Sequence, residues 1–356
     1  MLRLSRLLTT GREELPAAYL RDEGLRKAYS AYFLPANLFK IHKPLHELAL
    51  HPRNILSRQK LRIFDIGCGP GTASLGALEF LARRYPLTKL ELVAADQVAA
   101  NLKEAEALFR EHRGGADASL TAICSDISGL ERRVQGTFDV IIFANVLNEL
   151  FAHHAERGAH RTALIAGLLE HLLAPGGSCI IVEPALRETS RDLLEVRDKM
   201  IEKGFFVYSP CLGNAPCAAL ANPKDWCHED IPWEPPVLIR EIDKIAGLRK
   251  DSLKFSYLVL RKDGLTLADV CGKRAFRVVS EPLVSRGKIE YYVCGADGRK
   301  LMVRLDRDAA PMNKDYEELR RGDSVTFERL KDEGKRYKAG KETAVHRSPV
   351  QSDEAD

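Results

Sequence analysis

The run Ile63-Phe64-Asp65-Ile66-Gly67-Cys68-Gly69-Pro70-Gly71-Thr72 constrains this chain more than any other stretch. Leu61, Ile63, Phe64 and Ile66 read as a buried strand, and Leu75, Leu78 and Ala82 follow at helical spacing. Between them, three alternating glycines let the backbone turn sharply and let a ligand lie against it. Strand, glycine turn and helix open a doubly wound α/β sheet. The first N–H groups of such a helix favour polar or anionic ligand groups.

The pattern continues in the same sense. Strands are expected at 61–66, 90–95, 119–124, 138–144, 177–183 and 254–261, with helices at 72–84, 98–112, 160–173 and 188–202. That alternation predicts a mostly parallel sheet covered on both faces, spanning residues 61–262. Residues 1–60 read as a helical region with apolar stripes over 18–32 and 36–50, broken at Pro35. Segment 205–240 interrupts the alternation with Pro210, Pro216, Pro223, Pro232, Pro235 and Pro236, so little regular structure is expected there. From 263 to 345, short strands at 276–279, 289–293, 301–305 and 324–327 lie between glycine turns and predict a small β-rich domain or barrel. The charged end, 346–356, is expected to be disordered.

The glycine spacing selects among ligands. A dinucleotide fingerprint places its third glycine three residues after the second. Here the third comes after two, and Asp65 opens the motif. That spacing resembles motif I of the S-adenosylmethionine-dependent class I methyltransferases. The resemblance implies a cofactor set of Asp65, Gly67, Gly69, Gly71, Asp96, Gln97, Asp126, Ile127 and Asn145. Asp96, after the second strand, would take the ribose hydroxyls. Asp126 would take the adenine amino group, with Ile127 beside the ring. Pro175-Gly176-Gly177 opens the next strand, as is common in these enzymes.

The methyl acceptor is less evident. Base-amino methyltransferases carry an Asn/Asp-Pro-Pro-aromatic motif after the fourth strand, where this chain reads Asn145-Val146-Leu147-Asn148. Cys179 sits inside an apolar strand rather than at an attacking position. Glu149 or Glu183 can serve an oxygen nucleophile as general base or can simply end a strand. The sequence therefore assigns no catalytic residue, and whether the protein is an enzyme stays open.

Eight cysteines occur, and no export signal accompanies them, which disfavours a disulfide framework. Cys211, Cys217 and Cys227 crowd the proline-rich insertion, and three thiols so placed point to a metal. His228, Cys271 and Cys294 are the candidates for a fourth ligand. The wide spacings suit an iron–sulfur cubane better than zinc, which favours short Cys-x2-Cys knuckles, with zinc as the alternative.

Taken together the chain resembles the mitochondrial methyltransferase-like assembly factors of the small ribosomal subunit and their bacterial relatives. The resemblance is carried by 29–37, Phe64 to Gly71, 146–150, Ser209-Pro210-Cys211, Pro216-Cys217, Trp226-Cys227-His228, 255–260, and 277–280 with Cys294. It implies a 4Fe-4S cluster on Cys211, Cys217, Cys227 and Cys294, S-adenosylmethionine in the glycine site, and binding to small-subunit ribosomal RNA during assembly. The expected fold is thus a class I methyltransferase Rossmann-like sheet with N-terminal helices, an inserted cysteine loop and a small C-terminal β-domain. The runner-up functions are an active S-adenosylmethionine-dependent methyltransferase on ribosomal RNA or a small molecule, and a zinc-stapled binding module.

The charge distribution suits an RNA partner at the flanks or ordinary solvated basic surface. Net charge is about +6 over 1–60, about −5 over 61–260 and about +3 over 261–356, so the flanks are basic and the centre is not. No apolar run reaches the ~18 residues of a membrane span. A monomer in the bacterial cytoplasm is expected, or in the mitochondrial matrix if the source is organellar.

Overall fold

A computed structural model describes residues 1–16 and 18–348. Two sheets dominate it. The first contains β1 (Lys60–Ile66), β2 (Lys89–Asp96), β3 (Ala118–Cys124), β4 (Phe138–Ala144), β5 (Leu173–Pro184), β6 (Phe206–Ser209), β7 (Glu229–Pro232) and β8 (Ser252–Arg261). Their order is β3-β2-β1-β4-β5-β8-β6, with β7 pairing β8. Strands β1 to β5 are parallel, and β8 runs antiparallel to β5, β6 and β7. Chain order reverses between β1 and β4, which opens a crevice at the carboxyl ends of these strands.

Helices cover both faces. Four short N-terminal helices, α1 (Leu2–Leu8), α2 (Glu23–Ala28), α3 (Leu34–Leu38) and α4 (His42–Ala49), join α5 (Thr72–Arg84) and α6 (Ala99–His112) in flanking the sheet. Helices α7 (Arg157–Leu172) and α8 (Arg187–Glu202) pack on each other, and α9 (Val237–Ala246) follows β7. Strand β4 is buried over six of its seven residues, as a central parallel strand must be. Pro35 does not break the N-terminal region. It falls in the first turn of α3, where no N–H is required, and a π-helical turn over Tyr29–Phe33 leads into it.

The second sheet follows a short helix, α10 (Ala268–Cys271). It contains β9 (Phe276–Val278), β10 (Leu283–Ser285), β11 (Lys288–Gly295), β12 (Gly298–Leu305), β13 (Ser324–Glu328), β14 (Lys331–Asp332), β15 (Arg336–Ala339) and β16 (Ala344–Arg347). The order is β14-β15-β12-β11-β9-β13-β16, with β10 on β11. Strand β15 pairs parallel with β12, and β16 pairs antiparallel with β13. The last stretch of chain thereby bridges both ends of the sheet and closes it around Val278, Tyr291, Val293, Met302, Tyr316, Val325 and Tyr337.

Three expectations change. Segment 205–240 is not wholly irregular, because β6 and β7 both add to β8. Strands β14, β15 and β16 extend the barrel through a stretch that reads as charged and apolar-poor. Strand β16 runs to Arg347, past the boundary drawn at 346, and the rest of the tail from 349 lies outside the described residues. Among the described residues no helix is long and apolar enough to cross a membrane.

One row of the barrel faces the first domain. Arg277, Cys294 and Arg299 are register neighbours across β9, β11 and β12. Arg277 is only 3 % exposed. It donates to Glu47 of α4 at 2.6 Å, to Glu229 of β7 at 2.7 Å and to the Tyr257 hydroxyl of β8 at 2.9 Å. Arg299 lies 3.7 Å from Asp225 in the cysteine loop. The barrel is thus held on the methyltransferase-like sheet by a buried charge network.

Candidate functional sites in the glycine crevice and the cysteine loop

A cavity of ≈ 370 Å³ opens at the carboxyl ends of β1, β2 and β4. Gly67, Gly69, Asp96, Gln97, Asp126, Ile127 and Asn145 all line it. The turn after β1 is sharp because Gly67 has φ +71° and Gly71 φ +87°. A Cβ on Gly67 would stand 2.5 Å from Val146 Cγ2, and one on Gly71 would stand 2.9 Å from the Ala105 Cβ. Neither position tolerates a side chain, so the glycines are needed for packing as well as for the turn.

Asp65 and Gly71 lie behind this wall. Asp65 Oδ2 accepts from the Ser74 N–H at 2.9 Å and the Ser74 hydroxyl at 2.7 Å, so its carboxylate braces the start of α5. Burial pushes its pKa up to about 6, against the pull of the Ser74 hydrogen bonds, and Oδ1 is buried without a partner. Asp96 reaches back to the turn. Its Oδ2 accepts from Gly69 N–H at 3.0 Å, and its Oδ1 accepts from Val98 N–H at 2.8 Å and Asn101 Nδ2 at 3.1 Å. Burial raises its pKa although these donors oppose the rise. Asp126 caps the turn after β3 by accepting from Ser128 Oγ and N–H, which hold its pKa low.

The loop after β4 is tightly spent. Asn145 has φ +59°, a left-handed conformation that asparagine tolerates. Leu147 and Asn148 N–H groups donate to Glu183 at 2.9 and 3.1 Å, and Arg12 donates to the Asn148 side chain. Glu183 is buried and its pKa is pushed up to about 7 by that burial. Glu149 borders the cavity, so part of its side chain meets solvent. Although the side chain is exposed, the protein around it and then the nearby Glu183 charge act to raise its pKa. Its shift is upward, opposite to that of Asp126 across the cavity.

Residues the sequence did not single out complete the cavity. Tyr19, Leu20 and Tyr29 roof it from the N-terminal region, and Val98, Asn101 and Phe151 fill its walls. Leu20 and Tyr29 read as ordinary members of a helical core stripe, so no local signal marks them.

The second site is the cysteine loop. Cys211 follows the cis Ser209–Pro210 bond, and Cys217 precedes a 3₁₀ turn over Ala218–Ala221. Two arginines of α8 hold this loop by its carbonyls. Arg197 donates to Gly213 O at 2.8 Å and Ala215 O at 2.9 Å, and its Nε donates to Cys211 Sγ at 3.3 Å. Arg191 donates to the carbonyls of Ala219, Leu220, Asn222 and Asp225. The Cys217 N–H donates to Asp198 at 3.0 Å. These bonds satisfy backbone groups that a loop without regular structure would leave open.

Cys227 feels the charges of Cys211, Cys217 and Cys294, and Cys294 feels those of Cys211 and Cys217, so four thiols share one neighbourhood. Cys294 reaches it because the β11–β12 hairpin packs on the 3₁₀ turn, where a Cβ on Gly298 would lie 3.6 Å from Ala218. Burial pushes the Cys294 thiol up to about 12, and the other thiols add to the rise. Cys271 is elsewhere: its surroundings are Ser348, Glu47, Arg277 and Ser324. His228 stacks on Trp226 at 5.7 Å, and its pKa falls to about 4 through burial and then Arg321. Among the described residues, no group of three or more His, Cys, Asp or Glu is drawn together tightly enough to hold a metal ion as it stands.

A central parallel sheet with reversed order at β1/β4, an antiparallel strand between β5 and β6, and a glycine crevice at the switch point define a class I methyltransferase-like protein. The family described as Mitochondrial small ribosomal subunit Rsm22 matches residues 25–343, and the chain belongs to that family. No curated protein matches it. Solved structures that resemble it include the plantazolicin methyltransferase BpumL with SAH, at 14% identity over 73% of this chain and 94% of that one, TM-score 0.39. A methyltransferase from Geobacter sulfurreducens with S-adenosyl-L-homocysteine is 20% identical over 62% of this chain and 90% of its own, TM-score 0.35. One from Pyrococcus furiosus is 16% identical over 58% and 77%, TM-score 0.34. At these scores the likenesses are distant, and the fold assignment stands on the strand order.

Proposed function

We propose that this chain is an S-adenosylmethionine-binding, RNA-binding assembly factor of the small ribosomal subunit that carries a 4Fe-4S cluster on Cys211, Cys217, Cys227 and Cys294. The observation that carries the reading is the gathering of those four thiols from the inserted loop and the barrel hairpin, in a chain of a small-subunit family. The donor set suits a cluster. A cubane takes one thiolate on each of its irons, so its ligands stand apart around it, whereas zinc needs them closed on one point. Arg197, which donates to Cys211 Sγ, and Arg299 bring positive charge to thiolates that burial otherwise disfavours. Cys271 stands outside this set, which supports Cys294 as the fourth ligand.

In the crevice, Asp96 and Gln97 would hold the ribose, and Asp126 with Ile127 the adenine. The turn Gly67–Gly69 lies where the methionine part would rest. S-adenosylmethionine, when bound, supplies an activated methyl group. The residues opposite it give little purchase to an acceptor, because Glu183 and Asn148 are engaged within the loop. Glu149 remains as a proton acceptor and sustains methyl transfer as the second reading.

The test is purification under anaerobic conditions from ribosome-containing extract. Brown protein that co-sediments with small subunits is the expected result, and Cys217→Ser is expected to lose colour and RNA affinity with the first domain still folded. A colourless variant that binds RNA at full affinity would contradict the reading.

A further inference from the structure

The barrel carries a surface that neither the glycine crevice nor the cysteine loop uses. Its topology is that of an oligonucleotide-binding fold: five strands in Greek-key order, closed by a last strand that is parallel to the third and antiparallel to the fourth. Here β9, β11, β12 and β13 are the first four strands, and β15 with β16 is the bent fifth. The turns of Pro311–Glu318 fill the usual helix position between the third and fourth. In such barrels the outer face of the second and third strands, with the loop between the fourth and fifth, is the face that takes single strands. Topology alone assigns no function; the residues on that face decide what it binds.

They form two adjoining rows. The first, Arg277, Cys294 and Arg299, is docked on the methyltransferase-like sheet. The next row on the same outward side is Tyr292 of β11, Leu301 of β12 and Arg336 of β15, by the register of these strands. Tyr292 is 41 % exposed, and the Arg299 guanidinium lies 5.1 Å from its ring centroid. An exposed ring propped by a cation on a rigid strand is a stacking platform for a base. Two inter-strand spacings away, roughly 10 Å, stands the exposed Arg336. It belongs to a basic stretch: Arg329, Lys331, Lys335, Arg336, Lys338 and Lys341 against Asp332 and Glu333 within 329–341. Glu333 is shared by Lys331 and Arg336 in exposed pairs, which are weak and exchange easily for phosphate.

We infer that the outer face of β11, β12 and β15 binds a single-stranded RNA segment, with a base stacked on Tyr292 and phosphates along the 329–341 stretch. A single strand is required because a base inside a duplex cannot lie flat on a ring that stands on a sheet. The inference rests on the RNA-binding reading above and assigns that binding to one face.

The experiment is fluorescence anisotropy of the full chain with an unstructured oligouridine of about 16 nucleotides, set beside a duplex of the same length. Tyr292→Ala should weaken binding about tenfold, Tyr292→Phe should retain it, and all variants should keep the wild-type melting temperature. Lys331→Gln with Arg336→Gln should lower the slope of log affinity against log salt by about 1.4, at ~0.7 for each phosphate of a single strand that is no longer neutralised. Preference for the duplex, or wild-type affinity in Tyr292→Ala, overturns this assignment and leaves the ribosomal reading standing. Absence of binding by the wild type to any RNA, small-subunit RNA included, overturns both.

Discussion

Removing Arg277 should uncouple the barrel from the rest of the protein even with all cysteines intact. This one guanidinium bridges Glu47 and Glu229, and both carboxylates are buried. Lys43, 3.8 Å from Glu47, is the other cation near that pair. Arg277→Met keeps the apolar bulk of the side chain but strands two carboxylates away from water. Breaking a buried pair typically costs about 3–5 kcal/mol, and because Glu47 keeps Lys43 and the Tyr257 hydroxyl while Glu229 loses its guanidinium, this case falls in the middle of that range. A loss of ~4 kcal/mol lowers the equilibrium constant for forming that interface by roughly a thousandfold. The assay is urea unfolding with hydrogen exchange of β9–β13 amides as the local readout. Adding Glu47→Gln and Glu229→Gln to Arg277→Met should recover much of the loss, since neutral groups are far cheaper to bury than charges. A cost below about 1 kcal/mol for Arg277→Met, with barrel amides protected as before, would refute the reasoning.

Other outcomes follow from the same geometry. Asp96→Ala removes the acceptor of the Gly69 and Val98 N–H groups and should abolish S-adenosylhomocysteine binding by calorimetry, with the barrel still protected. Arg191→Ala frees four carbonyls of the cysteine loop and should make residues 211–227 sensitive to limited proteolysis while the first domain resists. Glu183 is raised to about 7 in the fold, so its contribution is complete below the unfolded carboxylate range near pH 4.3 and is lost as pH rises towards 7. Melting temperatures of wild type and Glu183→Gln should therefore diverge between pH 5 and pH 8, with the variant relatively better at pH 8. Glu47 behaves oppositely: burial pushes it up, but Arg277 and Lys43 bring its pKa below the usual value. Its contribution is present above about pH 4.3 and is lost as pH falls through its folded value.

What could be read in advance was what depends on neighbours in sequence. Helix α5 runs Thr72–Arg84 as the spacing of Leu75 and Leu78 predicts, and β1 ends at Ile66 before the glycine turn. Asp96 was legible because it ends a strand of a parallel sheet, where the topology makes ligands bind, and Asp126, two residues past β3, through the methyltransferase resemblance. What stayed hidden depends on distant partners. Arg277 and Glu47 are 230 residues apart, and a lone arginine in a short strand carries no mark of a buried bridge. Arg191 and Arg197 carry no local mark within their helix, yet they organise the cysteine loop. Strand β15 was missed because Arg336-Tyr337-Lys338-Ala339 buries only Tyr337 and Ala339, too few apolar residues to outweigh the surrounding charge. Pro35 misled for the converse reason: at the first turn of α3 the residue that breaks helices is harmless.

Four particular thiols, three from the loop and one from the barrel, are proposed to hold an iron–sulfur cluster. The most direct test of this assignment is iron, sulfide and zinc analysis of anaerobically purified wild type, Cys294→Ser and Cys271→Ser. About four irons and about four sulfides per wild-type chain are expected, retained in Cys271→Ser and lost in Cys294→Ser. Stoichiometric zinc without sulfide, or a full iron complement in Cys294→Ser, would contradict it.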